Sequence, residues 1–272
     1  MLRKIRIGIA AVFFIGITFL FIGIGHDWWG WMAKLQFLPA ALKTASSAIG
    51  LNLAVIIGIM LLTLVFGRIY CSAICPLGIF QDIINWISSR RKGKARRFHL
   101  RQNIKWLRYG ILLMFCVAAF CGIQLLVAIL EPYSAYGRII SSIVSPVGMG
   151  WSLVIVAFIT LVAVFILAWQ YGRLYCNTIC PAGTFLGIIS KYALFRPTID
   201  EDKCVGCHSC EKTCKASCIG SAGKVIDYSR CVDCFHCIKD CKVGAISYRF
   251  AYGKSKDAAQ KPAAGPCQCM VQ

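Results

Sequence analysis

The sequence contains few acidic residues and few histidines for its length. Its 272 residues include 11 Asp and Glu against 30 Lys and Arg, and the four histidines are His26, His99, His208 and His236. A haem held between two histidines inside a membrane requires histidines within apolar spans, and none of the four lies in such a span. A nucleotide-binding motif is also missing, so any redox reaction of this chain is expected to need a partner protein.

Apolar residues, by contrast, are abundant. They make up 58% of the chain, and its mean hydropathy is +0.67. Four segments are long and uncharged enough to cross a bilayer, namely residues 7–25, 51–67, 109–130 and 151–171. At about 1.5 Å per residue the third covers roughly 33 Å, which suffices for a hydrocarbon core of about 30 Å. Residues 1–195 are therefore predicted to form an all-α membrane domain with four transmembrane helices.

The distribution of charge predicts the orientation of these helices. Residues 68–108 hold ten Lys and Arg against one acid, Asp82, whereas the connections on the other side hold only Lys34, Lys43 and Arg138. Positively charged loops stay in the cytoplasm, so the 68–108 loop and both termini are expected on the cytoplasmic side.

The net charge of +19 would also suit a nucleic-acid-binding protein, but its placement indicates otherwise. Residues 198–250 carry eight basic and seven acidic side chains, so the excess positive charge lies beside the predicted membrane spans. Anionic lipid attracts such charge. The sequence therefore predicts the lipid bilayer, and not nucleic acid, as the partner of the basic segments.

Two cysteine runs near the carboxyl end carry the strongest functional pattern. Both have the spacing Cys-x2-Cys-x2-Cys-x3-Cys, and the second follows the first at an offset of 27 residues. In bacterial two-cluster ferredoxins each [4Fe-4S] cluster takes three cysteines from one run and the fourth from the other. The predicted ligands of cluster 1 are Cys204, Cys207, Cys210 and Cys241. The predicted ligands of cluster 2 are Cys231, Cys234, Cys237 and Cys214.

The 27-residue repeat extends beyond the cysteines to four further pairs of positions. These pairs are Ile199 with Ile226, Asp200 with Asp227, Lys203 with Arg230, and Ile219 with Ile246. In a reducing cytoplasm the cysteine spacing favours cluster ligation over disulfides. Residues 196–250 are therefore predicted to form a small α+β ferredoxin domain that carries electrons, and residues 251–272 a disordered tail.

The membrane region contains a second repeat. The motif Gly-Arg-x-Tyr-Cys-x3-Cys-Pro-x-Gly-x-Phe begins at Gly67 and again at Gly172, an offset of 105 residues, each time after the second helix of a hairpin. Two parallel hairpins should be related by an axis along the membrane normal, which would bring the two Cys-x3-Cys-Pro turns together. Within each copy the two cysteines are expected to share one helix face, and the proline to set a helix boundary at the second cysteine.

Three roles are open for the four cysteines of this motif, which are Cys71, Cys75, Cys176 and Cys180. The first is packing, since cysteine is often buried. The second is a dithiol pair that cycles to a disulfide. The third is a metal centre with four thiolate ligands. A redox or metal role is favoured because identical residues flank both pairs, and the last two roles are not ranked.

The two repeats together resemble the polyferredoxin-type membrane iron–sulfur proteins. The doubled Gly-Arg-x-Tyr-Cys-x3-Cys-Pro-x-Gly motif, followed by a two-cluster ferredoxin, covers residues 1–250. This family includes the quinol-oxidising membrane component of periplasmic nitrate reductase systems, the nitrous-oxide-reductase regulator and the accessory protein of cbb3-type oxidase assembly. The resemblance implies a multi-pass electron-transfer protein of the bacterial inner membrane that exchanges electrons with the quinone pool. The chain departs from the usual ferredoxin pattern at Lys215 and Lys242, where proline normally follows the fourth cysteine.

Five cysteines lie outside these motifs. Cys218 follows Cys214 at the same three-residue spacing, but its equivalent in the repeat is Ala245, so packing beside the cluster is expected rather than ligation. The others are Cys116 and Cys121 in the predicted third span, and Cys267 and Cys269 in the tail. The first pair is expected to pack in the membrane domain, and the tail pair could bind a soft metal such as Cu(I).

These patterns predict an electron-transfer component of a quinol-linked system. Single electrons would pass between the quinone pool, or a membrane partner, and a cytoplasmic or membrane redox protein through the two [4Fe-4S] clusters. One alternative is an assembly factor that reduces a metal such as copper for a membrane oxidase, with the membrane cysteines as its working site. Another is a redox sensor.

Overall fold

The computed structural model describes residues 2–23, 26–37, 39–40, 49–91, 105–146, 150–220 and 225–252. The helices of the first part are α1 Leu2–Ile22, α2 His26–Lys34, α3 Ile49–Phe66, α4 Ile69–Ala73, α5 Pro76–Arg91, α6 Lys105–Phe120, α7 Gln124–Leu130, α8 Pro132–Val144, α9 Trp151–Tyr171, α10 Leu174–Thr178 and α11 Pro181–Ser190. The carboxyl-terminal part contains β1 Phe195–Ile199, α12 Ser209–Thr213, α13 His236–Asp240 and β2 Ile246–Phe250. From residue 253 onward the predicted tail, with Cys267 and Cys269, lies outside the described residues.

Two of the described helices, α1 and α9, are long and apolar enough to cross a membrane, and three shorter apolar helices accompany them. Only 22% of the most apolar stretch of α1 and 17% of that of α9 is buried inside the protein. Leu51 on α3 and Phe158 and Ile159 on α9 are 56%, 65% and 61% exposed. Exposed apolar faces of this extent are unusual for the helices of a soluble domain.

The predicted third span is not one helix, and that prediction is wrong. α6 ends at Phe120 and α7 begins at Gln124. Gly122 between them has φ +71°, a left-handed conformation that glycine adopts without a steric penalty. The N–H of Ile123 donates to the carbonyl of Ala118 at 2.9 Å, as in a Schellman cap that ends a helix.

Cys116 and Cys121 are exposed at this end of α6. The prediction that they pack in the protein interior is therefore wrong. They share an outer apolar surface with Val117 and Phe120, which are 52% and 98% exposed.

The two copies of the membrane motif fold alike. In each, the long helix ends at a glycine with positive φ (Gly67, +76°; Gly172, +70°), a short helix follows, and the next helix begins at the motif proline. The helical conformation is disfavoured for the residue before a proline, and Cys180 is accordingly extended, at φ −71° and ψ 119°. The predicted helix boundary at the second cysteine is confirmed. The prediction that both cysteines share one helix face is wrong, because Cys75 and Cys180 lie beyond the ends of α4 and α10.

Segments that connect the long helices return to the core instead of forming surface loops. The hydroxyl of the motif residue Tyr70 donates to Gln36 Oε1 and accepts from the N–H of Phe37, both at 3.0 Å. In the second half α8 packs against α1, α5 and α9. Its Tyr136 is buried, with its hydroxyl 2.7 Å from that of Thr18.

The carboxyl-terminal domain has an internal two-fold symmetry that follows the sequence repeat. β1 pairs with β2 in antiparallel register with Ile199 opposite Ile246, and an isolated bridge joins their equivalents Ile226 and Ile219. Two further contacts recur at equivalent positions. The N–H of Asp200 donates to the carbonyl of Ala245 at 2.8 Å, and the equivalent N–H of Asp227 donates to the carbonyl of Cys218 at 2.7 Å. Likewise, Lys203 forms an ion pair with Asp200 at 3.5 Å, and its equivalent Arg230 forms one with Asp227 at 2.9 Å. The sequence repeat is therefore a structural repeat.

This domain packs directly on the membrane motifs. The N–H of Arg173 donates to the carbonyl of Lys215 at 3.0 Å, and the side-chain amide of Asn177 donates to the carbonyl of Ala216 at 3.3 Å. Both acceptors follow immediately after Cys214, a predicted ligand of cluster 2. The second motif copy therefore holds one of the two cysteine loops in place.

Candidate iron–sulfur and thiol sites

The four predicted ligands of cluster 2 converge on one cavity. Cys214, Cys231, Cys234 and Cys237 line one small cavity, together with Cys218 and apolar side chains such as Val232 and Ile226. A [4Fe-4S] cluster binds four cysteine thiolates, and an apolar wall keeps water from it. The donor set and the enclosure therefore fit such a cluster.

The thiols of Cys234 and Cys237 in this cavity are held in the protonated form unless a cation is present. Burial raises the pKa of Cys234 to about 11, and the neighbouring Cys214 adds to the rise. Burial also raises the pKa of Cys237. Iron binds thiolates, so metal binding must displace these protons. Four thiolates are stable here only around a positively charged iron centre.

The predicted ligands of cluster 1 are less enclosed. Cys207 is exposed, Cys204 and Cys241 are half-buried, and Cys210 is buried. Burial raises the pKa of Cys210 to about 11, and the nearby Cys204 and Cys207 act in the same direction. Because α12 packs against α13, Cys241 at the end of α13 is carried toward the first run.

Both cysteine loops share the same unusual backbone. Left-handed residues occur at three equivalent pairs of positions, which are Gly206 with Asp233, His208 with Phe235, and Ser217 with Gly244. A left-handed conformation is unfavourable for residues other than glycine and persists only where the surroundings determine it. Its recurrence at the 27-residue offset supports the same loop geometry at both predicted cluster sites.

Cys218 touches a predicted ligand of cluster 2. Its Sγ lies 3.4 Å from the Cys214 Sγ, its N–H donates to the same sulfur at 3.4 Å, and its side chain is 3% exposed. The hydrogen bond from Cys218 lowers the pKa of the Cys214 thiol, because the donated S–H stabilises the thiolate. The residue is buried beside the cavity as expected, and the contact with the ligand sulfur is an addition that the sequence did not predict.

The four membrane cysteines lie in one buried core. Cys71, Cys75, Cys176 and Cys180 are each 4–5% exposed and belong to a single cluster of packed side chains. The predicted meeting of the two Cys-x3-Cys-Pro turns is therefore confirmed. Across the described ranges, no three or more His, Cys, Asp or Glu side chains are arranged to hold a single metal ion. A metal centre or a dithiol at these cysteines stays a prediction.

Two buried arginines tie the motif copies together reciprocally. Arg68 Nη2 donates to the carbonyl of Cys176 at 3.3 Å, and its equivalent Arg173 Nη1 donates to the carbonyl of Cys71 at 2.7 Å. Both side chains are 0% exposed. This exchange explains why the Gly-Arg pair occurs in both copies, since each arginine closes the turn of the other copy.

Asp82 neutralises the second of these arginines. Its carboxylate forms a two-pronged ion pair with Arg173 (3.0 and 2.7 Å) and also binds Arg6 at 3.2 Å and Lys215 at 3.4 Å. One carboxylate therefore joins α1, α5, the second motif copy and the carboxyl-terminal domain.

Arg68 lacks the ion pair that Arg173 forms with Asp82, because Gly187 occupies the position equivalent to Asp82 in the other motif copy. It donates instead to Asn177 Oδ1 at 2.8 Å and to the carbonyl of Ser229 at 3.0 Å, and Arg108 donates to the same carbonyl at 2.9 Å. These acceptors are neutral. The carboxyl groups of Asp233, near Arg68, and Asp227, near Arg108, lie in the same segment. A [4Fe-4S] cluster with four thiolates carries a net charge of about −2, so a cluster in the adjoining cavity would add to the compensation of the two buried cations. The charge distribution thus also fits cluster 2.

Comparison with known proteins identifies related iron–sulfur proteins. Residues 49–95 and 151–199 match a family described as a 4Fe-4S binding domain, and each match contains one copy of the membrane motif. The ferredoxin-type protein NapH of Escherichia coli is 30% identical over 172 residues, which cover 62% of this chain and 54% of NapH. This chain therefore resembles the polyferredoxin-type 4Fe-4S proteins, NapH among them.

Two further relatives have similar overlap. The methylamine utilization ferredoxin-type protein MauN of Paracoccus denitrificans is 32% identical over 162 residues, 59% of this chain and 52% of MauN. The putative electron transport protein YccM of Escherichia coli is 22% identical over 197 residues, 70% of this chain and 54% of YccM. The chain spans about half the length of the curated relatives it matches. No solved structure matches it.

Sequence reasoning missed the polar residues that connect the membrane motifs to the ferredoxin domain. These are Asp82, Arg108, Asn177 and Ser229. The only available signal was that Asp82 is the single acid among ten basic residues, since a lone acid in such a segment is a natural ion-pair partner. The others have no repeat or spacing that distinguishes them.

Proposed function

We propose that this polyferredoxin-type protein passes single electrons between the quinone pool, or a membrane redox partner, and a second redox protein through two [4Fe-4S] clusters. The contact between the cluster 2 cavity and the membrane motif carries the proposal. The Arg68 guanidinium lies 3.9 Å from the Cys71 Sγ on one side and 3.0 Å from the Ser229 carbonyl, two residues before Cys231, on the other. A single side chain thus joins the membrane thiols to the predicted cluster site.

We further propose that the protein spans the bacterial inner membrane four times, with both termini and the ferredoxin domain on the cytoplasmic side. The exposed apolar faces of α1, α3, α6 and α9 support this, because a soluble protein rarely exposes large contiguous apolar patches. The basic residues at the start of α1 and between residues 68 and 108 support the orientation. In this arrangement the third span consists of α6 and α7 with the break between them.

The residues of this chain have distinct tasks in the proposal. When bound, the clusters supply one-electron chemistry, and the cysteines of the two runs hold them. The apolar wall of the cluster 2 cavity excludes water, while Arg68 and Arg108 place positive charge beside it. Positive charge near a cluster stabilises the more negative reduced form, so these arginines are expected to raise the reduction potential of cluster 2.

A recess beside cluster 2 suits a quinone-like amphiphile. It has a volume of about 420 Å³, is open to the surroundings, and is lined by apolar residues of α1 and α5 with Arg6, Lys215 and His236 among its polar groups. Burial lowers the pKa of His236 to about 3, assisted by the neighbouring Lys215 and Arg3, so its imidazole is neutral. A neutral ring can hydrogen-bond a carbonyl or hydroxyl oxygen. The Nδ1 of His236 lies 3.2 Å from the carbonyl of the predicted ligand Cys234, so the recess adjoins the proposed site of cluster 2.

The proposed function is tested by adding a quinol analogue to the purified, oxygen-free protein and following the cluster absorbance and EPR spectrum. We expect quinol-dependent reduction of clusters that amount to about eight irons per chain. Absence of this reduction, together with thiol-dependent reduction of Cu(II), would instead support the assembly-factor alternative, which rests on the four buried membrane thiols.

A matched pair of variants locates the quinol in this assay. Ala11→Trp fills the recess from α1, whereas Val12→Trp places the same ring at a neighbouring residue that is 54% exposed. We expect Ala11→Trp to slow quinol-dependent reduction at least tenfold while dithionite reduces the clusters normally, and Val12→Trp to leave both rates unchanged. Equal rates in the two variants would place the quinol elsewhere.

The membrane thiols are tested separately. Cys71→Ala combined with Cys176→Ala is expected to slow quinol-dependent reduction at least tenfold, because it removes one thiol from each motif copy. Iron above about eight per chain in the wild type, lost in this variant, would identify a further metal centre. Cys116→Ala with Cys121→Ala, at exposed positions, is the control. If both iron content and electron transfer are unchanged by the motif substitutions, the membrane cysteines have only a packing role.

A further inference from the structure

The cluster 2 cavity holds one thiol more than a [4Fe-4S] cluster needs. Cys218 lines the cavity together with the four predicted ligands and is almost fully buried. Its Sγ contacts the Cys214 Sγ, and Cys231 lines the same cavity. A fifth thiol inside the ligand set requires an explanation beyond packing, since alanine fills the equivalent place in the other half of the domain.

The spacing between Cys214 and Cys218 limits what the fifth thiol can do. Ligands on separate irons of a [4Fe-4S] cluster are widely spaced, because each sulfur bonds a different corner. The two Sγ atoms here are 3.4 Å apart and therefore face the same corner. The backbone maintains this proximity, since the N–H of Cys218 also donates to the Cys214 sulfur. The two thiols therefore compete for one iron.

The internal repeat confines this arrangement to one of the two predicted cluster sites. Ala245 follows Cys241 at the spacing at which Cys218 follows Cys214. Its carbonyl accepts a hydrogen bond from Asp200 at 2.8 Å, as the carbonyl of Cys218 does from Asp227 at 2.7 Å. Since this backbone contact recurs, the relevant difference between the two positions is the thiol itself.

We propose that Cys218 is a reserve ligand of cluster 2 that takes over the iron of Cys214 when Cys214 dissociates, an inference that rests on the proposed two-cluster function. The exchange is redox-neutral. Cys218 gives up its S–H proton as its sulfur bonds the iron, and Cys214 takes up a proton as its bond to the iron breaks. Cluster 1 has no such reserve. The cluster that packs on the membrane motif is thereby protected against the loss of one ligand.

Iron and acid-labile sulfide per chain, with EPR spectra of the reduced full-length protein, test this proposal. Loss of one cluster removes about four irons. We expect Cys214→Ala to keep the wild-type iron content with a shifted EPR signal, and Cys214→Ala/Cys218→Ala to lose about four irons per chain. Cys218→Ala alone should keep its iron. Cys234→Ala is the control with no reserve thiol and should lose about four irons.

The repeat offers a transplant that does not depend on the folding of Cys214→Ala. Cys241→Ala should lose about four irons, since Ala245 cannot replace the thiol, and Cys241→Ala/Ala245→Cys should recover them. The proposal is overturned if Cys214→Ala loses as much iron as Cys234→Ala, or if the transplant recovers none. A wild-type protein with fewer than about eight irons would contradict the two-cluster function instead.

Discussion

Asp82→Asn is expected to lower the free energy of unfolding by about 3–5 kcal/mol, the range for removing one partner of a buried ion pair. Its carboxylate lies within 3.4 Å of cationic nitrogens of Arg6, Arg173 and Lys215, whose side chains are 7%, 0% and 13% exposed. Asparagine preserves the shape of the side chain but leaves three partly or fully buried cations facing one another. Because Lys215 belongs to the ferredoxin domain, that domain should also be held less firmly. The melting temperature of the purified protein and protease sensitivity between the domains measure both effects.

Asp202→Asn is the matched control, because it makes the same chemical change at an exposed carboxylate. It is expected to leave the melting temperature unchanged. Equal melting temperatures for the two variants would mean that another anion, such as a lipid phosphate, neutralises the three cations. Repeating the measurement in detergent alone and in anionic lipid separates that explanation from a contribution of Asp82 itself.

Much of the carboxyl-terminal domain could be predicted because its repeat is local and its ligands have a fixed spacing. The 27-residue offset identified Ile199, Ile219, Ile226 and Ile246 as equivalent positions, and the structure pairs them symmetrically. The 105-residue offset likewise predicted that the two membrane turns would meet. A repeat of sequence specifies a repeat of structure, and symmetry then specifies which residues approach each other.

Features without a repeat could not be predicted in this way. Gly122 lies in an otherwise apolar segment, and a single glycine there is equally compatible with an unbroken helix. Arg6, Arg173 and Lys215 are 76, 91 and 133 residues from Asp82, and no periodicity links positions so far apart. The contact of Gln36 with Tyr70 likewise depends on how a connecting segment packs against the helices.

Gly183→Ala is expected to lower the free energy of unfolding by about 3 kcal/mol or more, because overpacking is combined with the loss of hydrogen bonds to a buried cation. A Cβ at this position would lie closer than 3.0 Å to the carbonyl oxygen of Cys176 and 2.8 Å from Arg68 Nη2. The carbonyl cannot easily move, since the turn that carries it is closed by the bond from Cys180 N to the carbonyl of Tyr175 at 3.0 Å. Arg68 must therefore shift, and its contact with the cluster 2 segment is expected to break. Both the melting temperature and the reduction potential of cluster 2 should fall.

Two other glycines make this prediction specific. Gly58→Ala in α3 meets nothing within 4 Å and is expected to be neutral or slightly stabilising, because alanine favours helix over glycine. Gly78→Ala, the equivalent change in the first motif copy, also approaches a carbonyl, that of Cys71, but its Cβ would be 3.5 Å from Arg173. It should therefore reduce stability while leaving the potential of cluster 2 nearly unchanged. If Gly78→Ala and Gly183→Ala lower the reduction potential of cluster 2 equally, the effect comes from a general loss of stability of the two motif copies. In that case Arg68 does not link the motif copies to cluster 2.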